Sequence, residues 1–318
     1  MDTISQKRPK WSWLPIAKGA LTRWPKLSNA SIRHITFGEN ATWKVKLSDS
    51  AFALRVYRPG RWSDEQILVE HELMQTIGPT LGVLPAVKGI DGHTLQLVPE
   101  TKLRAALFPW APGRLYCKKP NRQKVRRLGQ YIGTLHERLS AHSFRQQERT
   151  WDRQTLLFGP LQAAKERWKT ELPNSAFPRE LDEWARDCEI KWQKETPPTN
   201  LLHADLHLGN LKWSRSGICC IDFDDCGNAP LAYDLAVSAM SSGGMRDPNI
   251  LTELLYGYNS VASTSIDESI VRFFMIIRKF WSMGWVSERP ELFDKGELAT
   301  VLSQSARTIE KMVEQNWL

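Results

Sequence analysis

The chain has 318 residues and carries 43 Lys and Arg against 35 Asp and Glu, a formal net charge of +8. Its length is sufficient for one large domain or two lobes, and 42% hydrophobic with 25% charged residues is ordinary for a soluble globular protein. The modest basic excess favours an anionic ligand such as a nucleotide. No nucleic-acid recognition motif accompanies the charge, so we expect no nucleic-acid partner.

Cysteine usage and apolar runs indicate a cytoplasmic location. The five cysteines include the vicinal pair Cys219 and Cys220 inside an apolar run, and no C-x-x-C motif is present. An odd number in this arrangement is typical of free thiols in a reducing compartment. No apolar run approaches the roughly 18 residues that span a bilayer, and the polar N-terminus lacks the apolar stretch of a signal peptide. We therefore expect a cytoplasmic monomer without a membrane partner.

The first residues form an N-terminal arm, 1–30, that is rich in Pro, Lys and Trp and shows no clear periodicity. We expect Trp11, Trp13 and Trp24 to pack this arm onto the body of the protein. The alternative from the sequence is a partly ordered tail.

A run of short β-strands follows the arm. Residues 31–37, 41–47 and 51–57 contain β-branched and aromatic side chains and are separated by polar turns. The turn between the first two strands is where a backbone could lie over phosphates, so Gly38 and Asn40 are candidate nucleotide-binding residues. An ordinary hairpin turn is the alternative interpretation of a single glycine.

The third strand and the helix after it carry a candidate ion pair. On the strand, Ala53 precedes Arg55 by two residues, so a small side chain that leaves room for a base shares a face with a cation that could hold phosphates. Residues 64–77 have helical periodicity, and Glu70 falls inside the apolar stripe. Because a buried glutamate is rarely unpaired, we expect Glu70 to face Arg55.

The small lobe ends in a segment that we interpret as a linker. The apolar segments 83–90 and 93–98 complete a predicted five-stranded lobe. Residues 107–113 then break the pattern with two prolines and a glycine. The backbone around Phe108 and Trp110 is the candidate to hydrogen-bond the edge of an adenine base.

The chain beyond the linker has predominantly helical periodicity, which predicts a nucleotide-binding lobe at residues 31–108 and a larger helical lobe at 109–318. Residues 125–139 have helix spacing, and we interpret His136 within them as a core histidine. The basic run 118–127 is more typical of a solvated face than of a substrate-docking site. Further helical patterns occupy residues 161–170, 179–194, 229–236, 250–258, 266–285 and 298–317.

The stretch that carries the chemistry places three oxygen-bearing side chains near one another. Asn210 follows Asp205 by five residues, and two short apolar strands, 211–213 and 218–221, precede Asp222. The polar connection between these strands predicts a hairpin, which brings Asp222 back beside Asn210. An amide and a carboxylate oxygen suit Mg²⁺, and Asp205 would accept a hydrogen bond from a substrate hydroxyl. The pattern therefore predicts phosphoryl transfer.

Other polar residues of this stretch receive supporting or neutral assignments. We expect the ring of His203 to hydrogen-bond backbone near the metal carboxylate and fix the loop. Asp234, at the start of a helix, is placed to brace the loop through backbone N–H groups. His207 is assigned neither to chemistry nor to loop geometry, and Asp224 and Asp225 are interpreted as solvated turn residues rather than metal ligands.

Two other classes of protein fit part of the pattern. His203, Asp205, His207 and Asp222 have spacing that could bind a transition metal for hydrolysis or oxygen chemistry. A metallohydrolase has no use for Asn210 or for the cation–carboxylate pair of the small lobe. A nucleotide-binding pseudoenzyme is a third alternative, which the intact set of Asp205, Asn210 and Asp222 disfavours.

The motif H-x-D-x-x-x-x-N at residues 203–210, followed by I-D-F-D at residues 221–224, resembles the aminoglycoside phosphotransferase/choline kinase group of protein-kinase-like folds. The resemblance runs from about residue 35 to the C-terminal helices. It implies an α+β, bilobal fold and transfer of the γ-phosphate of ATP. It also implies that Asp205 is the active-site residue, that Asn210 and Asp222 bind magnesium, and that Glu70 is the partner of the strand cation.

The sequence departs from the kinase pattern at two positions. Arg55 stands where protein kinases have lysine, and its planar fork can change the contact with phosphate. The turn at Gly38 has no G-x-G-x-x-G motif. We expect an ATP- and Mg²⁺-dependent kinase whose acceptor is either a protein Ser/Thr hydroxyl or a small alcohol such as homoserine, choline or an aminoglycoside.

Overall fold

A computed structural model describes residues 13–115, 120–141, 149–215, 217–294 and 296–318. Two lobes meet at a cleft, and we call the part up to Pro109 the N-lobe and the part from Trp110 onward the C-lobe. Trp11, Cys117 and the lysines of the basic run at 118 and 119 lie outside the described residues. The expectations about them stay predictions.

The N-lobe is built on a five-stranded antiparallel sheet with the order β1-β2-β3-β5-β4. Its strands are β1 (Ser31–Phe37), β2 (Ala41–Leu47), β3 (Ser50–Val56), β4 (Gln96–Leu97) and β5 (Arg104–Pro109). The first three agree with the sequence prediction. The prediction of a strand within 93–98 is confirmed by the short strand β4, whereas that for 83–90 was wrong, since these residues contribute only an isolated bridge at Val87. The remaining strand is β5, whose last residues were assigned to the linker.

The long helix of the N-lobe is α2 (Asp64–Leu81), and its ends have clear local causes. The Ser63 hydroxyl accepts a hydrogen bond from the backbone of Gln66, whose side chain accepts one from the Ser63 backbone, so the first turn is capped in both directions. Gly82 ends the helix with a left-handed φ of 68°, a conformation that glycine adopts without strain. The cap fixes the start of the helix that carries Glu70.

Residues 13–30 of the N-terminal arm cover the outer face of this sheet, as expected for Trp13 and Trp24. Helix α1 (Leu14–Leu21) packs its small and apolar side chains against the sheet, and Trp24 is 95% buried with its indole N–H donating to the carbonyl oxygen of Val87 at 3.2 Å. Full burial of an apolar side chain such as leucine or valine contributes about 1.5–3 kcal/mol. The outer apolar cluster includes Ala17, Ala20, Trp43, Val45, Leu54, Val56 and Leu107.

The C-lobe is mostly helical. Its helices are α3 (Arg122–Ser140), α4 (Gly159–Glu171), α5 (Arg179–Glu195), α6 (Leu231–Ser242), α7 (Pro248–Asn259), α8 (Glu268–Ser287) and α9 (Glu297–Glu314). Helices α3 and α7 cross closely because glycines face the partner backbone on both sides. A Cβ at Gly129 would lie 2.0 Å from the carbonyl oxygen of Leu254, and one at Gly257 would lie 2.0 Å from that of Arg126. No larger residue fits either position without moving a helix.

Short strands of the C-lobe shape the floor of the cleft. They are β6 (Arg114–Leu115), β7 (Arg149–Thr150), β8 (Thr199–Leu202), β9 (Leu211–Ser214), β10 (Gly217–Cys220) and β11 (Gly227–Pro230). Strands β9 and β10 form the predicted hairpin, with Leu211 paired to Cys220. Its base brings Ile221 within hydrogen-bond distance of Asn210, since the Ile221 N–H donates to the Asn210 carbonyl at 2.9 Å.

Two further observations bear on the sequence expectations. Within the described ranges, Cys188, Cys219, Cys220 and Cys226 are all free and buried thiols, as predicted. A search of the described helices finds none with the length and hydropathy needed to cross a membrane.

Candidate active site

The loop between β8 and β9 carries Asp205 and is held by its own polar side chains. The His203 ring accepts from the Asp205 backbone at Nδ1, 3.3 Å, and donates from Nε2 to the Ile221 carbonyl, 3.0 Å. The Asp234 carboxylate on α6 accepts from the His203 backbone at 3.1 Å. Both supporting assignments are confirmed. Ala204 has a φ of 62°, a strained conformation for a non-glycine residue of the kind found at functional sites.

Three donors converge on the Asp205 carboxylate. Oδ1 accepts from Nη2 of Arg278 on α8 at 2.5 Å, while Oδ2 lies 3.4 Å from Nε2 of His207 and 3.3 Å from Nδ2 of Asn210. Burial alone would raise the pKa of Asp205, but the guanidinium of Arg278 and the ring of His207 outweigh it and hold this pKa well below its usual range. Asp205 is therefore ionised throughout the neutral range.

His207 contributes to the loop, contrary to its neutral assignment from sequence. Its Nδ1 accepts from the Gly209 N–H at 2.9 Å and caps the short helical turn 208–210. Because Nδ1 is an acceptor, Nε2 carries the proton in the neutral ring and points it toward Asp205. Burial lowers the pKa of His207, but its pairing with Asp205 outweighs that effect and raises it overall.

The hairpin places Asn210 and Asp222 at the same end of the cleft. The Asn210 side-chain amide donates to the Asp205 carbonyl at 3.0 Å, which leaves its Oδ1 as the atom available to a cation. The Asp222 side chain is 48% exposed, and its backbone has a left-handed φ of 69°. One amide oxygen and one accessible carboxylate are hard ligands of the kind Mg²⁺ prefers, so the residues fit that ion.

Arg55 joins the two lobes through its guanidinium fork, and the predicted pairing with Glu70 is confirmed. Nη1 donates to Glu70 Oε1 at 2.8 Å, and Nη2 donates to Asp222 Oδ1 at 2.8 Å. Burial raises the pKa of Glu70 to about 7, and Arg55 limits that rise. Lysine could not hold both carboxylates with the same planar geometry. The arginine at this position therefore positions the candidate metal ligand as well as the helix.

Asp224 and Asp225 are buried, so their interpretation as solvated turn residues was wrong. Both face Arg61, which lies just before α2: its Nε is 3.4 Å from Asp224 Oδ2, and its Nη2 pairs with Asp225 Oδ1. Burial raises the pKa of Asp225 to about 6 despite Arg61. Burial would raise the pKa of Asp224 too, but Arg61 and Arg55 outweigh it and lower that pKa.

The turn between β1 and β2 reaches the C-lobe through Glu39. Its carboxylate pairs with Arg61, accepts from the Trp285 indole at the end of α8, and lies 2.6 Å from Nη2 of Arg289. Next to it, Arg58 pairs with Glu291 at 3.3 Å. We call the contact of Glu39 with Arg61, Trp285 and Arg289 the Glu39 clamp, and it fixes the turn where the sequence predicts phosphate binding.

The residues predicted to bind nucleotide surround the cleft face of the N-lobe sheet. Ala53 pairs with Phe108, and Arg55 lies two residues further along the same face. The Gly38 N–H donates to the Asn40 carbonyl, and Asn40 Oδ1 accepts from the Arg58 backbone at 3.1 Å. The Trp110 backbone N–H donates to the Ala51 carbonyl at 2.9 Å, so this part of the backbone predicted to bind the base already has a partner.

Sequence reasoning missed four residues of the site: Glu39, Arg61, Arg278 and Arg289. Arg278 had a detectable signal, since Arg278 and Lys279 are two adjacent cations within the otherwise apolar run 273–280. The same observation on α2 located Glu70. The other three pair across long separations in the chain, such as the 164 positions between Arg61 and Asp225, and had no local signal.

Replacing Arg278 with glutamine should change the pH dependence of activity. Without the guanidinium, burial raises the pKa of Asp205, so the carboxylate becomes protonated as pH falls through the new value. We expect the acid limb of kcat/KM to move up by about 1–3 pH units, the range by which a neighbouring cation shifts a carboxyl. Arg278→Lys keeps the charge and should retain most of the wild-type profile.

A pH–rate profile for both variants, with thermal unfolding measured alongside, checks this expectation. The guanidinium of Arg278 also lowers the pKa of His207, so this pKa should rise in Arg278→Gln and stay close to that of the wild type in Arg278→Lys. Parallel profiles for the wild type and Arg278→Gln would show that Arg278 has no influence on the ionisation of Asp205.

The two lobes and the cleft between them define a bilobal, protein-kinase-like fold. A structure of the microcompartment-associated aminopropanol kinase superposes with a TM-score of 0.80 at 23% identity, covering 96% of this chain and 99% of the other. The predicted α+β, bilobal fold is confirmed.

A family model described as the phosphotransferase enzyme family matches residues 33–272. The chain therefore belongs to that family, as the resemblance of its motifs implied. Stress response kinase A of Escherichia coli K12 is 28% identical over 202 residues, which are 62% of this chain and 59% of the relative. A protein of Salmonella typhimurium named serine/threonine protein kinase RdoA is 29% identical over 203 residues, again 62% and 59%. Each match thus spans about three fifths of the relative.

Proposed function

We propose that the protein is an ATP- and Mg²⁺-dependent kinase that transfers the γ-phosphate of ATP to a hydroxyl group. The observation that supports this most directly is the convergence of Asp205, Asn210 and Asp222 at one end of a cleft, with the fork of Arg55 joining Asp222 to Glu70 across it. Phosphoryl transfer depends mainly on positioning and charge stabilisation, and these side chains supply both.

Asn210 and Asp222 would hold the magnesium ion, which supplies charge stabilisation at the phosphates when bound. Arg55 would orient Asp222 from one side and contribute its charge to the phosphates. Gly38 and Asn40 would lie over the phosphates, while Ala53, Phe108 and the Trp110 indole would surround the base. Glu70 would act only through Arg55.

Asp205 would orient the acceptor rather than remove its proton early. Its carboxylate is held ionised by Arg278, so it is a weak base but a permanent hydrogen-bond acceptor. A hydroxyl that donates to it is aimed at the γ-phosphorus, and the proton leaves late through a loose transition state. His203 ties the loop that carries Asp205 to the strand before Asp222.

The transition-metal alternative receives no support from the geometry. Both ring nitrogens of His203 are engaged with backbone groups, and Nδ1 of His207 accepts from the Gly209 N–H. The contacts of His203 use both nitrogens with which it would bind a metal, whereas His207 keeps only Nε2, which faces the Asp205 carboxylate at 3.4 Å. We therefore retain the phosphotransferase proposal.

Two acceptor classes follow from the relatives, and we place protein Ser/Thr hydroxyls first. One relative is named a serine/threonine protein kinase, and both relatives are more similar in sequence than the structural neighbour. A small amino alcohol is the second candidate, because the neighbour that matches over nearly its whole length is an aminopropanol kinase. The chain spans only part of the relatives in each alignment, so both acceptors are proposals.

Transfer of labelled γ-phosphate to two separate acceptor pools tests the function. The purified protein is incubated with γ-labelled ATP and Mg²⁺, and with either denatured and native cell-extract proteins or a panel of small alcohols and amino alcohols. We expect label in one pool and a much lower rate of labelling with Asp205→Asn. Absence of label from both pools, together with absence of ATP hydrolysis, would contradict kinase activity and favour the pseudoenzyme.

A further inference from the structure

Two lysine ammonium groups meet at the ring of Trp110, next to the residues that would surround the base. Nζ of Lys44 lies 4.3 Å from the ring centroid and Nζ of Lys212 lies 5.0 Å from it. Lys44 comes from β2 in the N-lobe, whereas Lys212 comes from β9 in the C-lobe, two residues after Asn210. The indole is therefore approached by one cation from each lobe.

The register of the sheet shows that Lys44 lies on the cleft face. Lys44 is directly opposite Ala53, and Ala53 is directly opposite Phe108, so the three side chains share a face. Phe108 packs in the apolar cluster that extends into the C-lobe, whereas the neighbouring Leu54 belongs to the cluster under α1. Lys44 is thus beside Ala53, the small residue that leaves room for a base.

Lys212 approaches the same indole ring from the C-lobe and is more deeply buried than Lys44. Its relative exposure is 9%, and its charge lowers the pKa of Cys219, although burial dominates and raises that pKa to about 11. Strand β9 pairs with β6, which follows Trp110 closely in the chain. A base that binds beside Trp110 would therefore lie close to these two ammonium groups.

Ammonium groups discriminate between purine bases because they donate hydrogen bonds and cannot accept them. Guanine presents two acceptors, O6 and N7, along one edge, and lysine pairs with both. Adenine presents N7 next to an amino group, which is itself a donor. A pocket lined only by apolar side chains would leave this choice to backbone groups, but here two side-chain cations are present.

We propose that the base subsite accepts guanine as well as adenine, and that GTP is a second phosphoryl donor selected by Lys44 with Lys212. This inference rests on the proposed function. The acceptor hydroxyl oxygen bonds to the γ-phosphorus of GTP while the bond from that phosphorus to the β,γ-bridging oxygen breaks. GDP leaves with the electron pair, and the hydroxyl proton passes to solvent by way of Asp205.

Steady-state kinetics with both nucleotides test the inference. We expect GTP to support transfer with kcat/KM within about tenfold of ATP, a difference of about 1.4 kcal/mol. Lys44→Met should lower kcat/KM for GTP by about 5- to 100-fold, the discrimination of one good lysine–guanine contact. ATP should be affected much less. Lys46→Met is the matched control, since Lys46 lies two residues further along the same strand, is exposed, and pairs with Ala51.

The outcomes that overturn the inference are distinct. Equal losses for ATP and GTP in Lys44→Met would show that Lys44 binds the ribose or phosphates, which both nucleotides share. If Lys44→Met and Lys46→Met show the same ratio of kcat/KM for GTP to kcat/KM for ATP, Lys44 has no role in selecting the base.

Displacement of a fluorescent ATP analogue by ADP and by GDP gives a readout that needs no acceptor. If ADP displaces the analogue and GDP does not, the inference fails and the proposed function stands. If neither the analogue nor either nucleotide binds, both the inference and the proposed function fail.

Discussion

Replacing Asp205 with asparagine is expected to lower turnover by about 10²–10⁴-fold, the contribution of a positioned acid or base. Asparagine keeps the size of the side chain, but it replaces one carboxylate oxygen with an amide donor and removes the charge that orients the acceptor hydroxyl. Nucleotide binding should persist, because Asn210, Asp222 and Arg55 are unchanged. Rates of labelled phosphate transfer, measured beside thermal shifts with Mg²⁺ and ATP, check both parts.

The control for this experiment follows from the ion pair between Asp205 and Arg278. Removing the charge of Asp205 leaves a buried guanidinium unpaired, and breaking such a pair costs roughly 3–5 kcal/mol. The double variant Asp205→Asn with Arg278→Gln removes both charges, so it should recover stability while remaining inactive. Near-normal turnover in Asp205→Asn, or recovery of turnover in the double variant, would refute the assignment of Asp205.

Replacing Asp222 with alanine should abolish Mg²⁺-dependent binding of ATP. The substitution removes the accessible carboxylate of the candidate metal site and leaves only Asn210. At a ligand concentration of about 100 Kd, binding stabilises a protein by about 2.7 kcal/mol. We expect the wild type to show this stabilisation with Mg²⁺ and ATP together, and the alanine variant to lose most of it in thermal unfolding.

Two companion variants separate metal binding from the contact with Arg55. Asp222→Asn retains an oxygen for the Arg55 fork but lacks the charge, so it should keep its stability without ligand and still lose the response to Mg²⁺ and ATP. Asp49→Ala changes an exposed carboxylate in the turn between β2 and β3 and should behave as wild type. Undiminished stabilisation of Asp222→Ala by Mg²⁺ and ATP would contradict the site.

The parts of the site that are close in sequence could be predicted, because local spacing determines them. Asn210 and Asp222 are joined by one hairpin, and the hairpin has a recognisable composition. Glu70 was located because a charge inside an apolar stripe requires a partner. Arg278 presents the same signal on α8, but its partner lies 73 positions away, and no spacing rule connects a helix late in the chain with the loop of Asp205.

The errors have a similar physical origin. Asp224 and Asp225 were interpreted as solvated because acidic residues after a strand usually are. Their burial depends on pairing with Arg61, which belongs to the other lobe. The last residues of β5, 107–109, were assigned to the linker because Pro109 and the residues after it resemble a turn. Proline is tolerated there because it ends the strand, at the pairing with Phe52. Tertiary pairing overrode local composition in both cases.

The Glu39 clamp also constrains how the cleft exchanges its contents. The hinge at Trp110 joins the lobes on one side through the chain, and the contacts of Glu39 with Trp285 and Arg289 join them on the other through charge. The lobes are thus joined by one covalent connection and by several ionic contacts, since Arg55, Arg58 and Arg61 also pair with carboxylates of the C-lobe. A nucleotide can leave along the open sides, but wide separation of the lobes must first break these ionic contacts. Product release should therefore accelerate with ionic strength, which screens charges at the partly exposed rim of the cleft.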